Sequence, residues 1–345
     1  MAQAIHTRRS VIGGALGLGA TAAAARFATA QEGSPEASSA ASPAADGEWS
    51  FTDDKGVTVT LPSRPERLVI DVNAASPLWD FGVRPVAVFG WLATASGDFG
   101  PAGGRIDPEQ VEIIGEGEAT IDVEALVGLQ PDLIITLTFS PDDPLEYWSL
   151  AADGPLEQVQ QVAPIVAISG VQSSNAGVAR FAELAVDLGM DLETPEVTAD
   201  LERWQASEAA FGTALADKPG ISAIFTAPSP DVIYIANPQV AGDLQYYREL
   251  GLTIPDVEIN PDDGNYWEYA SLEEIGKYQT DLLFSSYRGM PVEEFLAIPT
   301  VATLPAVTAG QVYTWNQDEV LSYRGIADSL DGVIEAITAA DIVTG

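Results

Sequence analysis

The chain contains no cysteine and a single histidine, His6, among 345 residues. The missing thiol excludes disulfides, thiolate metal sites, thiol nucleophiles and the cysteine that lipid-anchors many exported proteins. His6 lies in a segment read below as removable, so the remaining chain has no imidazole for a Ser-His-Asp triad or for a His-ligated zinc, manganese or haem. Lysine is confined to Lys55, Lys218 and Lys277. Positive charge is short throughout: 15 Lys and Arg stand against 51 Asp and Glu, a formal net charge of −36. Such a chain is a poor partner for nucleic acid or an anionic membrane. The acidity suits a salty habitat or plain solubility. No catalytic set, no metal-ligating set and no cofactor is predicted.

Residues 1–30 read as an address. Thr7-Arg8-Arg9-Ser10-Val11-Ile12 is a twin-arginine pattern, and the apolar run that follows, residues 11–25, is shorter than the ~18–20 residues that cross a bilayer. Ala28-Thr29-Ala30 supplies small residues for signal peptidase, which predicts cleavage after Ala30. Twin-arginine export implies folding before translocation. Cleavage removes Arg8, Arg9 and Arg26, leaving 12 of the 15 basic residues against 51 acidic ones, a net charge of −39. Residues 31–47, rich in Ala, Ser, Pro and Glu, bury too little apolar surface to order themselves and read as a flexible linker. The mature protein is expected to be a soluble, diffusible monomer outside the cytoplasm. Its folded part, about 300 residues, is long for one core and natural for two lobes.

Residues 49–61 alternate around a Lys55-Gly56 turn and predict a hairpin. Short apolar runs at 67–71, 86–89, 133–137 and 165–168 then alternate with helical stretches, including one over 179–188 that ends at Gly189. This is α/β organisation. The longest helical pattern follows, with Thr194 as N-cap, Pro195 in the first turn, and Lys218-Pro219-Gly220 as its stop. Beyond it, strands at 222–225, 282–285 and 311–313 alternate with helices again, and an amphipathic helix over 326–342 closes the chain.

The two halves share a pattern. Asp122, Glu124, Gln130 and Asp132 have counterparts 149 residues later in Ser271, Glu273, Gln279 and Asp281. In both copies a polar cap precedes Glu, a short helix follows, and Asp introduces an apolar strand. The repeat predicts equivalent lobes flanking the long helix, with a cleft between them.

These residues resemble the substrate-binding proteins of ABC importers for ferric siderophores, haem and cobalamin. The resemblance runs through Pro65-Glu66-Arg67-Leu68-Val69, residues 81–88 and 122–135, Trp267-Glu268-Tyr269-Ala270-Ser271-Leu272-Glu273, and residues 304–313. It implies an α/β fold of two Rossmann-like lobes, residues 48–193 and 219–345, joined by a single long interdomain helix over 194–218. It also implies an ABC permease dimer with its ATPase as partner. One glutamate on each lobe would dock on the permease, and the matching residues are Glu124 and Glu273, the pair singled out by the repeat. Exposed carboxylates at equivalent points would orient the protein on a two-fold partner.

Ligand-binding candidates belong to loops at the carboxyl ends of strands. On the first lobe these are Asn73, Trp91, Arg105, Phe139, Tyr147 and Trp148; on the second they are Tyr234, Tyr266, Trp267, Tyr287, Arg288, Trp315, Tyr323 and Arg324. Aromatic walls with a few arginines suit a bulky chelate that is both greasy and anionic. A ferric siderophore is the leading expectation. Cobalamin or haem is the alternative, haem requiring a tyrosine ligand, and an exported hydrolase with paired carboxylates or a ligand-sensing receptor are readings of another class. Gly115-Glu116-Gly117 lacks a phosphate-loop continuation and reads as a turn. Asp142-Asp143 and Asp262-Asp263 lack calcium-loop spacing and read as solvated loops.

Overall fold

The computed structural model describes residues 47–91, 93, 96–115, 121–150, 154–259 and 265–344. The signal segment, all but the last residue of the linker, most of the Gly115-Glu116-Gly117 turn and Asp262-Asp263 lie outside the described residues.

Trp49–Thr52 (β1) and Thr58–Leu61 (β2) form the hairpin, closed by Asp53, whose carboxylate accepts the backbone N–H groups of Lys55 and Val57. The first lobe then runs through Leu68–Asp71 (β3), Val72–Asp80 (α1), Ala87–Phe89 (β4), Glu112–Ile113 (β5), Val123–Leu129 (α2), Leu133–Thr138 (β6), Leu156–Val162 (α3), Ile165–Ser169 (β7) and Ser174–Asp187 (α4). Its strands pair in parallel in the order β5-β4-β3-β6-β7. Every residue of β3, β4, β6 and β7 is buried, as expected of parallel strands covered on both faces.

Pro195–Asp217 (α5) is the long helix, 23 residues with Thr194 Oγ1 accepting the Val197 N–H. The second lobe follows as Ala223–Pro228 (β8), Ile233–Ala236 (β9), Gly242–Glu249 (α6), Trp267–Ala270 (β10), Leu282–Ser286 (β11), Val292–Leu296 (α7), Pro305–Thr308 (α8), Val312–Trp315 (β12) and Tyr323–Ala339 (α9). Its order, β10-β9-β8-β11-β12, repeats the first lobe position by position, but β9 and β10 run antiparallel.

The 149-residue repeat has a structural cause. Asp132, ahead of β6, accepts the backbone N–H groups of Glu66 and Arg67 at 2.9 and 2.8 Å; Asp281, ahead of β11, accepts Ser222 N–H at 2.9 Å. Each aspartate ties the start of its strand to the chain entering the neighbouring one. On one face of each sheet, the apolar layer merges with that of the other lobe into one core through α1, α4, α5, α6 and α9. The opposite faces keep separate cores.

Candidate functional site

In the first lobe the cleft wall starts at the ends of β3, β4 and β6. Asp71 closes β3 and caps α1, accepting Asn73 N–H at 2.9 Å and Ser149 Oγ–H at 2.7 Å. Burial pushes its carboxyl up to about 7 against the pull of those bonds, and the charge of Asp318 adds to the rise. Gly90 follows β4 at φ +121°, and a Cβ there would sit 2.1 Å from Asp71 Oδ2. Only glycine allows that approach, and it delivers Trp91 to the cleft with its N–H on Ser149 Oγ at 3.2 Å. The segment after β6 folds back, so that Trp148 N–H reaches Leu137 O and Thr136 Oγ1–H reaches Trp148 O.

The second lobe contributes the loops after β8, β11 and β12, and the antiparallel pair β9–β10. Tyr266 and Trp267 meet edge to face at 4.8 Å, and Tyr234 stands against Trp267 at 6.0 Å. A Cβ on Gly289 would lie 2.7 Å from Pro228 Cδ, so this glycine lets the loop carrying Arg288 close over the end of β8. The lobes meet through aromatic rings: Trp91 stacks on Trp148 at 5.9 Å, Trp148 meets Phe139 at 4.9 Å, and Phe139 meets Tyr266 at 6.4 Å. Arg288 of the second lobe lies 5.4 Å above the ring of Trp91. Burial, with Asp243 and Asp318 nearby, raises the Tyr266 phenol far beyond neutral pH, so it faces the cleft as a neutral O–H.

Between these walls is a cavity of about 510 Å³, within the usual range for small-molecule sites. Two buried polar atoms of residues that line it lack protein partners: Trp148 Nε1, a donor, and Asn73 Oδ1, an acceptor. Leaving a buried polar group unpaired costs about 1–3 kcal/mol.

The structure brings Asn73, Trp91, Phe139, Trp148, Tyr234, Tyr266, Trp267 and Arg288 to this cavity. It takes the other candidates elsewhere. Arg105 pairs with Asp80 at 2.8 Å and Glu196 at 2.7 Å, beside a separate space of about 790 Å³ at the start of α5. That larger space is ringed by Asp80, Asp107, Asp191 and Glu196, and its arginines are already engaged with protein groups. Tyr147 packs on the outer core of the first lobe with the Lys55 ammonium 4.7 Å over its ring. Tyr287 turns its O–H to Asp318, behind the cavity wall, where burial and that carboxylate push its phenol up to about 12. Trp315 is buried and donates to Asp243 at 2.7 Å. Tyr323 stacks on Trp204 of α5 at 5.7 Å, and Arg324 pairs with Asp200 at 2.9 Å, so both fasten α9 to the long helix. In each case another group of the protein claims the side chain before a ligand does. Gln317 and Asp318 line the cavity without having been foreseen. Their stretch, Asn316-Gln317-Asp318-Glu319, reads as one more acidic loop.

Glu124 is exposed in the first turn of α2, whose cap Asp122 accepts Ala125 N–H at 2.9 Å. Glu273 is exposed immediately before the short 3₁₀ turn Glu274–Lys277. Among the described residues neither side chain has a hydrogen bond or ion pair.

Among the described residues no helix is long and apolar enough to cross a membrane, and no group of three or more acidic or histidine side chains suits a metal ion. Among curated proteins, none matches by sequence. Solved structures do. DesE, described as a ferric-siderophore receptor protein from Streptomyces coelicolor, is 31% identical over 86% of this chain and 99% of its own, with a TM-score of 0.78. SirA of Staphylococcus aureus, solved with staphyloferrin B, shares the fold at 19% identity, covering 85% and 99% of the two chains with a TM-score of 0.61. A Bacillus subtilis periplasmic binding protein component of a ferrichrome ABC transporter shares it at 20% identity, 84% and 100% coverage and a TM-score of 0.58. The family model for periplasmic binding proteins matches residues 113–319, from β5 through the long helix to the loop after β12. The chain belongs to the periplasmic binding protein family and is a binding protein rather than an enzyme.

Proposed function

We propose that this protein captures a ferric siderophore outside the cytoplasm and delivers it to the permease of an ABC importer. The observation that carries the reading is the aromatic cavity shared by both lobes, two of whose lining residues, Trp148 and Asn73, each keep a buried polar atom without a protein partner. It lies in a chain 31% identical to a ferric-siderophore receptor protein. Ring faces cover the organic shell of a chelate, and a small shift of Trp148 and Asn73 on binding turns Nε1 and Oδ1 to its polar groups. In this reading residues 1–30 are a twin-arginine signal cleaved after Ala30, residues 31–47 are a linker, and residues 48–193 and 219–345 are lobes hinged by residues 194–218. Glu124 and Glu273, exposed at equivalent points of the two lobes, dock on basic side chains of the permease.

A thermal-shift and fluorescence screen of the mature protein against ferric hydroxamates, ferric catecholates, ferric citrate, haem and cobalamin tests the ligand. Saturation at 100 times the dissociation constant stabilises by about 2.7 kcal/mol, and a folded protein that responds to no ferric chelate refutes the reading. Glu124→Lys with Glu273→Lys is expected to abolish uptake while chelate affinity stays unchanged. Normal uptake by the folded double variant removes the docking role.

A further inference from the structure

The one cation in the cavity wall is already spoken for. Among the described lining residues only Arg288 and Asp318 carry full charges, one of each sign. The Arg288 guanidinium donates from Nη2 to Asp318, its Nε lies 3.4 Å from Tyr287 Oη, and its plane faces Trp91. Asp318 is buried and held from several sides: Asn73 Nδ2 reaches Oδ1 at 3.3 Å from the other lobe, Tyr287 donates to Oδ2, and the Asp318 N–H is fixed on Asn316 Oδ1 at 3.1 Å. Arg288 is therefore oriented toward the protein and neutralised by it. It is not an anion clamp waiting for cargo.

Asp71 and Asp243 stand behind the wall, where burial first and repulsion from Asp318 second hold them back from ionisation, so Asp318 is the carboxylate that answers Arg288. The remaining lining is mostly ring faces, whose quadrupoles attract cations and repel anions. At longer range a formal charge of −36 opposes the approach of any anion.

We propose that Asp318 is the specificity-determining residue of the cleft: by occupying Arg288, it makes the site select ferric chelates that are neutral or positively charged and turn away anionic ones. The proposal rests on the chelate-binding function above and narrows it by charge class. Three hydroxamates, each a monoanion, give a neutral complex with Fe(III); three catecholates, each a dianion, give a trianion. The two differ in shape as well as charge. Shape is constant when one protein variant is compared with another, so the change in their affinity ratio on altering Asp318 reports charge.

Tryptophan-fluorescence titrations of the mature protein with a ferric tris-hydroxamate and a ferric tris-catecholate test this. Wild-type protein is expected to bind the neutral complex at least 100-fold more tightly. Asp318→Asn frees the Arg288 charge and is expected to move the ratio at least tenfold toward the trianion. Arg288→Met leaves Asp318 uncompensated and is expected to move it the other way. Should Asp318→Asn fail to fold, as judged by near-UV circular dichroism, Arg288→Met carries the test alone. Equal or tighter binding of the trianion by wild-type protein overturns the charge preference only. A ratio unmoved in the folded variants overturns the role of Asp318. Binding of neither complex by folded wild-type protein overturns the chelate function and this inference together.

Discussion

The two lobes have the same strand order and differ in how two strands run. In the first lobe all five strands are parallel, while in the second β9 alone is reversed and pairs antiparallel with both of its neighbours, β8 and β10. That reversal has a functional consequence. Parallel strands contribute only their carboxyl-terminal loops to a cleft, whereas an antiparallel pair contributes side chains from the strands themselves. Tyr234 and Trp267 reach the cavity in this way, and the second lobe supplies most of its wall. The repeated aspartates differ too. Asp132 accepts two backbone N–H groups at a half-buried position, whereas Asp281 is fully buried and accepts Ser222 N–H and Oγ–H, Val343 N–H, and Thr344 N–H and Oγ1–H. The second copy has taken on the extra task of holding the C-terminus.

The largest expected effect tests that inequality. Asp281→Ala orphans five part-buried donors at once and is expected to cost about 3–4 kcal/mol by denaturant unfolding, against about 1 kcal/mol for Asp132→Ala. Equal losses would make the two caps equivalent. Burial alone would raise the Asp281 carboxyl, but the hydrogen bonds hold it below the ordinary range. Its contribution is therefore present above about pH 4 and lost as acid carries the pH down through the folded value.

Next comes the unequal wall. Trp267→Ala in the second lobe removes a large ring face and is expected to weaken chelate binding by about 2 kcal/mol, roughly 30-fold. Trp148→Phe in the first lobe keeps a ring and loses only the unpaired Nε1 donor, for about 1 kcal/mol or roughly fivefold. Titration calorimetry measures both, and a reversed order would shift the energetic weight to the first lobe.

The smallest effect concerns the seam between the lobes. Ser174 of the first donates to Glu319 of the second, whose carboxyl is raised to about 8, first by burial and then by the charge of Asp243. A raised acid holds its proton in the folded state, so stability is greatest in acid and declines as pH rises from the ordinary carboxylate range through the folded value. Glu319→Gln removes that decline. Its melting temperature is expected to exceed that of wild type by about 2 °C at pH 8 and to match it near pH 5. A difference independent of pH would mean that Glu319 acts by shape alone.

How much of this was legible in the chain depends on the range of the interaction concerned. The 23-residue helix α5 was readable because its cap, first-turn proline and stop all lie within the segment. Strands β6, β7, β8, β11 and β12 were readable as short apolar runs. Helix α1 forms in the helical stretch expected between 67–71 and 86–89 in spite of Pro77 in its interior, whereas the direction of β9 could not be seen because a four-residue strand carries no mark of whether its partner runs with or against it. Of the ten aromatic candidates six line the cavity, because rings beside strand ends tend to share a cleft. Of Arg105, Arg288 and Arg324, only Arg288 lines it, since Asp80, Glu196 and Asp200 claim the other two.

By itself the sequence determined the local features: an α/β alternation, one long helix, two halves that share a pattern, and a chemistry without thiol and with a single imidazole. Those follow from periodicity, capping and composition, which act over a few residues or over the chain as a sum. Only the tertiary structure decided which side chains line the cavity and with what charge. In a chain with 51 acidic residues, any arginine has many potential partners, and the fold alone determines that Arg288 meets Asp318. Electrostatic pairing depends on distances across 30 residues of sequence and a buried, low-dielectric wall, neither of which a linear pattern records.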